Sequence, residues 1–296
     1  MTAAGASDSG DAPRALVVTN ADNDDARAFA PLLIEALESR GVAVARWERG
    51  NSASHSAARD RSTPADSLVV VLGGDGFLMQ TIRALDYPPT PFYGVNYGQV
   101  GFLMNPRMDA ATLAEIVVER RFSEVSYPML QASIELEDGS SAEAHAVNDF
   151  VLERASGQTV HLRAWIDDVP LNRYSGDGLV FATPGGSSAY SLAAGGPVVH
   201  EGVDCMILTP LYPHRPVQFH SLQFPIILPL EGRVRIAAES TGKRPVRLVA
   251  DGQTVERVAA VEITHGGKRV RMCRFADYNF ADALVRKIIG GNSREA

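Results

Sequence analysis

Cysteine is scarce in this chain: Cys205 and Cys273 are the only two, too few for a disulfide framework or a zinc site. A reducing, cytoplasmic home is the expectation that follows. No run of 18 apolar residues occurs, so no membrane-spanning helix is expected. Positive charge is in short supply as well, with 28 Lys and Arg against 35 Asp and Glu for a net −7. That balance argues against nucleic acid or an anionic membrane as partner and still allows a local patch for a phosphorylated ligand. The seven histidines show no His-Glu-x-x-His or other ligand spacing, so no protein-built metal cage is indicated. There is no Gly-x-x-x-x-Gly-Lys-Ser/Thr, which removes the commonest phosphate loop. A Gly-x-Gly-x-x-Gly fingerprint would need glycine where Met79 stands, which disfavours a Rossmann nicotinamide site.

What is present fits a soluble globular protein of two domains, 45% apolar and 21% charged over 296 residues. Residues 1–13, rich in Ala, Ser, Gly and Asp, lack the basic start and apolar core of a signal peptide and read as a disordered tail. Residues 14–120 alternate strand and helix. A strand at Ala15–Thr19 leads to an Asp/Asn cluster, 22–25, capping a helix with Phe29, Leu32, Leu33, Ala36 and Leu37 on one face. Gly41 stops it, Val42–Trp47 is a strand, and a polar loop with Ser52, Ser54, Ser56 and Arg59 follows. A strand from Leu68 then runs into Gly73-Gly74-Asp75-Gly76 and a helix over Phe77–Leu85. Pro91–Asn96 is the next strand, and Asp109 caps a helix through Leu113, Ile116 and Val117. The expectation is an open, mostly parallel α/β sheet, whose strand ends face a ligand crevice.

Over 121–275 the pattern changes to short strand-like runs: Leu130–Leu136, Ala146–Leu152, Val160–Ile166, Leu179–Thr183, Ile226–Leu230, Val234–Ala238, Val246–Ala250 and Val258–Ile263. Turn signals between them point to a mainly antiparallel β-sandwich. Residues 276–296 regain helical spacing over Tyr278–Ile289 and are expected to pack back on the first domain.

Two stretches carry chemistry. In Gly73–Gly76 the glycines let backbone N–H groups approach a phosphate, and the helix start that follows favours the same anion. Asp75 would be repelled there unless it holds a metal ion or accepts a proton during reaction, so the loop suits phosphoryl transfer. By itself the tetrapeptide is also an ordinary turn. The second stretch, Gly176-Asp177-Gly178 through Thr183-Pro184-Gly185-Gly186-Ser187-Ser188-Ala189-Tyr190-Ser191-Leu192, reads as strand, Gly/Ser turn and helix start. Ser187 or Ser188 would cap the helix, and Tyr190 offers a flat face to a base; a capped connector with a packed tyrosine is the plainer reading. A hydrolase elbow at Gly185-x-Ser187-x-Ala189, with Asp251 and His265 following in order, lacks its last glycine and leaves Gly73–Gly76 without a role.

Together with Gly94-Val95-Asn96-Tyr97-Gly98-Gln99-Val100-Gly101-Phe102-Leu103 and Asn148-Asp149, these stretches resemble the NAD kinase family in their order along nearly the whole chain. The first motif is shared with lipid kinases and phosphofructokinases; the last is highly specific. The resemblance implies an α/β domain and a β-rich domain with the active site in the crevice between them. The implied reaction is transfer of the γ-phosphoryl group of ATP to the 2′-hydroxyl of the adenosine ribose of NAD. Gly74, Asp75 and Gly76 would meet the substrates, with Asp75 as proton acceptor and a divalent ion, Mg²⁺ by preference, on the ATP phosphates. Asn148 and Asp149 would bind the ribose or adenine side of NAD. Asp177, with Ser187, Ser188, Ala189, Tyr190, Ser191, Leu192 and Ala193, would hold its other parts, including the nicotinamide amide. Thr209–Pro216, with Tyr212, resembles the family's loop that completes a neighbouring subunit's site, which implies a homodimer or homotetramer; Gln253 is a further contact. Phe77, Asp149, Gly185 and Ser188 depart from the family's usual threonine, glutamate, threonine and threonine. A lipid kinase and an NAD-dependent oxidoreductase are the alternatives, the former calling for a membrane-facing surface the sequence does not display.

Overall fold

The computed structural model describes residues 14–50, 67–99, 101–171, 173–214, 222–285 and 288. The expected tail at 1–13, the polar loop with Ser52 to Arg59, and Arg215 and Pro216 lie outside the described residues, as do Val100 and residues 286, 287 and 289 of the expected C-terminal helix. The chain divides into two compact units, residues 1–124 with 271–296, and residues 125–270.

The first unit runs β1 (Arg14–Asn20), α1 (Asp24–Glu38), β2 (Ala43–Arg49), β3 (Leu68–Gly73), α2 (Asp75–Ala84), β4 (Phe92–Asn96) and α3 (Ala110–Val118). The strands pair in parallel in the order β2-β1-β3-β4. Every residue of β3 is buried, as expected of a strand covered on both faces by crossover helices. Asn23 caps α1, its side chain accepting from Ala26 N, with Asp24 and Asp25 in the first turn. Asp109 caps α3 in the same way through Thr112 N. Leu33, Leu37, Val70, Leu72, Tyr93, Val95 and Leu113 form the core.

β5 (Phe122–Leu136) leads into the second unit. There follow β6 (Ser141–Ala146), β7 (Asp149–Arg154), β8 (Val160–Ile166), β9 (Val169–Pro170), β10 (Tyr174–Gly176) and β11 (Gly178–Ala182). A 3-10 turn at Gly185–Ser188, the short α4 (Tyr190–Ala193), β12 (Cys205–Leu211), β13 (Ile226–Pro229), β14 (Val234–Ala238), β15 (Val246–Ala250) and β16 (Gln253–Val255) come next. β17 (Val258–Phe275) then returns to the first unit, where Met272 pairs in parallel with Phe92, before α5 (Phe280–Leu284). One antiparallel sheet of the second unit is β13-β12-β11-β7-β15-β16; β10-β8-β14-β17, with β5 and β6 attached, is the other. Phe150, Leu152, Phe181 and Leu208 from the first sheet and Leu130, Leu162, Val234 and Ile263 from the second share one apolar core, which makes the unit a sandwich.

Four elements differ from the sequence expectation. The run Ala146–Leu152 is two strands, because the N–H groups of Val147, Asn148 and Asp149 all donate to the Asp251 carboxylate and leave the ladder there. Thr209, Pro210 and Leu211 are not part of a loop: they lie in β12, buried and paired with β11, and only Tyr212 onward leaves the sheet. β17 continues twelve residues past Ile263, since the charges that read as a strand end are paired, Arg269 with Asp204 and Arg271 with Glu124. Ser187 and Ser188 do not cap a helix. Ala189 stands at the start of α4 with no side-chain cap.

Candidate active site

In the first unit the glycine loop joins β3 to α2, and Asp75 is the first residue of that helix. A carboxylate there complements the helix dipole, and first-turn N–H groups have no partner inside the helix. Both carboxylate oxygens are engaged: Phe102 N donates to Oδ2 at 2.7 Å and Leu103 N to Oδ1 at 2.9 Å. The loop after β4 thus orients the acid at the end of β3. Close backbone approach explains the glycines, since a Cβ on Gly74 would stand 3.3 Å from Gly98 Cα and one on Gly98 3.1 Å from Gly74 Cα. Tyr97 N donates to Gly73 O, Asn23 Nδ2 to Tyr97 O, and Arg107 stacks 4.4 Å over the Tyr97 ring while donating to Asn96 O. Gly76 is exposed, and a side chain there would meet nothing within 4 Å. Phe77 is turned the other way. Its ring is buried, folded back under Gly73 with the Arg49 guanidinium 5.7 Å away, so position 77 fills core rather than the mouth of the loop.

In the second unit Asn148 and Asp149 sit at the start of β7, held by the three N–H bonds to Asp251. Thr183 N donates to Asn148 O at 2.9 Å. Gly186 lies so near that an added Cβ would fall 2.0 Å from that carbonyl oxygen, so only glycine permits the turn to press on Asn148. The Asn148 Oδ1 atom is buried with no hydrogen-bond partner among the described residues, an acceptor left for a ligand's donor. Asp149 accepts from Tyr190 N, and burial first, then the neighbouring Asp251 charge, pushes its carboxyl up to about 7.

Asp177, Tyr190 and Tyr212 come together on a cavity of about 400 Å³, with Glu153, Arg154, Ser156, Leu211 and Arg247. Tyr190 is 44% and Tyr212 77% exposed, two rings against which a flat base can lie. Arg154 pairs with Asp177 at 3.0 Å and Arg247 with Glu153 at 2.7 Å, so the wall carries two balanced ion pairs. Ser188, Ala189, Leu192 and Ala193 are partly or fully exposed along the turn. Ser187 and Ser191 are buried, and their hydroxyls are committed: Ser187 Oγ donates to Pro184 O and accepts from Val199 N, while Ser191 Oγ and Thr209 Oγ1 are 2.9 Å apart. That arrangement removes the hydrolase reading, because Ser187 is 1% exposed and Asp251 is occupied by backbone. Gln253 is exposed opposite Ala250 and does not line the cavity.

In the sequence Asp251 reads as a turn residue or as the acid of the hydrolase alternative, and nothing there singles out Arg154 or Arg247. The Asp-Gly turn was visible, but not that its carboxylate would reach back about a hundred residues to Val147–Asp149. Across β7 and β15, Glu153 faces Arg247 in register, a pairing that only the sheet order reveals. No group of three or more His, Cys, Asp or Glu residues that could hold a metal ion occurs among the described residues.

A parallel α/β unit whose glycine loop aims a single acid, followed by an antiparallel sandwich with a Gly/Ser turn, is a kinase architecture. It is shared with an NAD kinase from Archaeoglobus fulgidus solved in complex with ATP, at a TM-score of 0.71 and 25% identity, covering 94% of this chain and 100% of that one. A yeast NADH kinase complexed with NADH has the same fold, at a TM-score of 0.72 and 24% identity over 97% of this chain and 90% of that one. Residues 147–276 match the ATP-NAD kinase C-terminal domain. The chain is 34% identical over 230 residues to the NAD kinase of Thermomicrobium roseum, covering 76% of each. Against the NAD kinase of Moorella thermoacetica it is 30% identical over 294 residues, 94% of this chain and 90% of the relative. The chain belongs to the NAD kinase family.

Proposed function

We propose that this protein transfers the γ-phosphoryl group of ATP to the 2′-hydroxyl of the adenosine ribose of NAD, giving NADP and ADP. The observation that carries the reading within the fold is Asp75, an acid fixed through both oxygens at the first residue of α2. In this reaction the 2′-oxygen bonds to the γ-phosphorus, the bond from that phosphorus to the bridging oxygen of ADP breaks, and the hydroxyl proton passes to the Asp75 carboxylate. The first-turn N–H groups of α2 and the open space at Gly76 suit an approaching phosphate. With no acidic cluster to cage a metal among the described residues, the divalent ion, Mg²⁺ by preference, belongs to the ATP substrate in this reading.

The second unit supplies the dinucleotide contacts. Asn148 offers its buried Oδ1 to a donor on NAD, and Asp149, once ionised, accepts from a ribose hydroxyl. Tyr190 and Tyr212 flank a base, and Asp177 accepts from an amide or amino group. Gly74, Ser188, Ala189, Leu192, Ala193 and Gln253 are lesser contacts. Ser187 and Ser191 act by shaping the turn, since their hydroxyls are already bonded. The exposed Tyr212, at the end of β12, fits a role in self-association to a homodimer or homotetramer. Two buried free thiols suit a cytoplasmic protein; no described helix is long and apolar enough to cross a membrane.

Incubation with NAD, ATP and magnesium tests the reading directly. NADP should appear only with all three. NAD binding without any phosphorylated product, across several metals and phosphoryl donors, would point to an oxidoreductase instead, and phosphorylation of a lipid alone to a lipid kinase.

A further inference from the structure

Among the described residues Arg274 is the largest fully buried side chain, 1% exposed at the end of β17. Burying a guanidinium is unfavourable unless it is hydrogen-bonded, and an aliphatic side chain would fill the same space without that penalty. Its Nη1 donates to Phe102 O at 3.1 Å, and its guanidinium lies 4.5 Å over the ring of Tyr278. The Phe102 carbonyl belongs to the same planar peptide group as the Leu103 N–H, and that N–H is one of the two that hold Asp75. A charged donor on the carbonyl draws density through the amide and makes the N–H a stronger donor, so the two hydrogen bonds reinforce each other.

Asn105 aims the arginine. Buried at 1%, it accepts from Phe275 N at 3.0 Å and donates to Cys273 O at 2.9 Å, which brackets residue 274 on both sides. Its Nδ2 also donates to Gly94 O at 3.1 Å, tying the bracket to β4. A rigid path therefore runs from the end of β17 to the acid of the glycine loop, about 200 residues earlier in the chain.

We infer that Arg274 is a positioning residue for Asp75, holding the Phe102–Leu103 peptide so that both oxygens of the carboxylate stay fixed for proton acceptance. This rests on the kinase reading of Asp75. In this role Arg274 acts through the Phe102–Leu103 peptide, so it sets turnover rather than affinity.

A double-mutant cycle on NADP formation separates positioning from general support of the fold. Arg274→Lys and Arg274→Met are made in the natural background and in Asp75→Asn, with thermal melts to verify folding. In the natural background Arg274→Met should lower kcat about 10-fold, with both KM values changed less than about threefold, and Arg274→Lys should recover part of the loss. In the Asp75→Asn background the same changes should cost less than about twofold, because the group they act through is gone. Equal losses in both backgrounds would overturn the inference. Full activity of Asp75→Asn would instead overturn the kinase role of Asp75 itself. Should the Arg274 variants fail to fold, Tyr278→Leu removes the aromatic seat beneath the guanidinium. It should lower kcat about threefold, again only where Asp75 is present, and an unchanged kcat would refute the inference.

Discussion

Replacing Asp149 by asparagine should remove a stability cost that grows with pH. The Asp149 carboxyl lies between the Asp251 carboxylate and the Tyr190 N–H, partly buried, and titrates near 7 instead of its ordinary 3.8. Below the ordinary value both folded and unfolded chains carry the proton, and this residue has no effect. As pH rises from about 4 the unfolded chain ionises first, so folding is progressively disfavoured until the folded carboxyl also ionises near 7. The gap between the two values sets a ceiling of about 4 kcal/mol. Because the group retains some contact with water, about 1–3 kcal/mol is the working expectation. Asparagine keeps an oxygen for the Tyr190 N–H and cannot ionise. Urea unfolding of both proteins, followed by circular dichroism from pH 5 to pH 8.5, should show the variant gaining relative stability up to about pH 7 and a constant difference beyond. A difference that does not vary with pH would refute the assignment. In the proposed function the ionised form of Asp149 accepts from a ribose hydroxyl, so the natural protein's KM for NAD should also fall as pH rises through 7.

Tyr190→Ala and Asp177→Ala should each raise the KM for NAD about tenfold and that for ATP much less, as steady-state kinetics with either substrate varied will show; a larger effect on ATP would reverse the assignment of substrates to the two units. Gly186→Ala drives a methyl group toward Asn148 O, a backbone atom that cannot step aside, so denaturant unfolding should show a loss of about 1–3 kcal/mol or more, together with weakened NAD use. Self-association predicts that sedimentation velocity and specific activity change over the same dilution series, and that Tyr212→Ala weakens NAD use even in an intact oligomer; a fully active monomer would exclude a shared site.

The parts of the molecule most legible in sequence are those whose cause is local. Leu68–Leu72 ahead of Gly73-Gly74-Asp75-Gly76 declares a buried parallel strand followed by a helix, and β3 and α2 are both there, with the helix starting two residues earlier than expected, at Asp75. Asn23 and Asp109 announce their helices because capping acts within three residues. What escaped depends on partners far along the chain. Thr264–Arg269 looks like the end of a strand until Asp204 meets Arg269, and Pro210 argues against a central strand although β12 is one. Within the site, Asp75 stands out from its glycine neighbours, whereas Asp177 is singled out by the family resemblance alone. The commitments of Ser187 to Pro184 and Val199, and of Asp251 to Val147–Asp149, could not be read, because spacing records which groups can bond and not which partner reaches them first.

The central claim is that Asp75 accepts the proton of the attacking hydroxyl, and Asp75→Asn tests it with a side chain of the same shape. Turnover and NAD affinity are measured on the same preparation, the latter by equilibrium titration in the absence of ATP. The account predicts a fall in kcat of about 100-fold or more, the scale of lost general-base help, with NAD affinity changed by less than about threefold. An unchanged kcat would make Asp75 a loop-shaping residue, and an affinity loss equal to the rate loss would make it a ground-state contact; either result contradicts the claim.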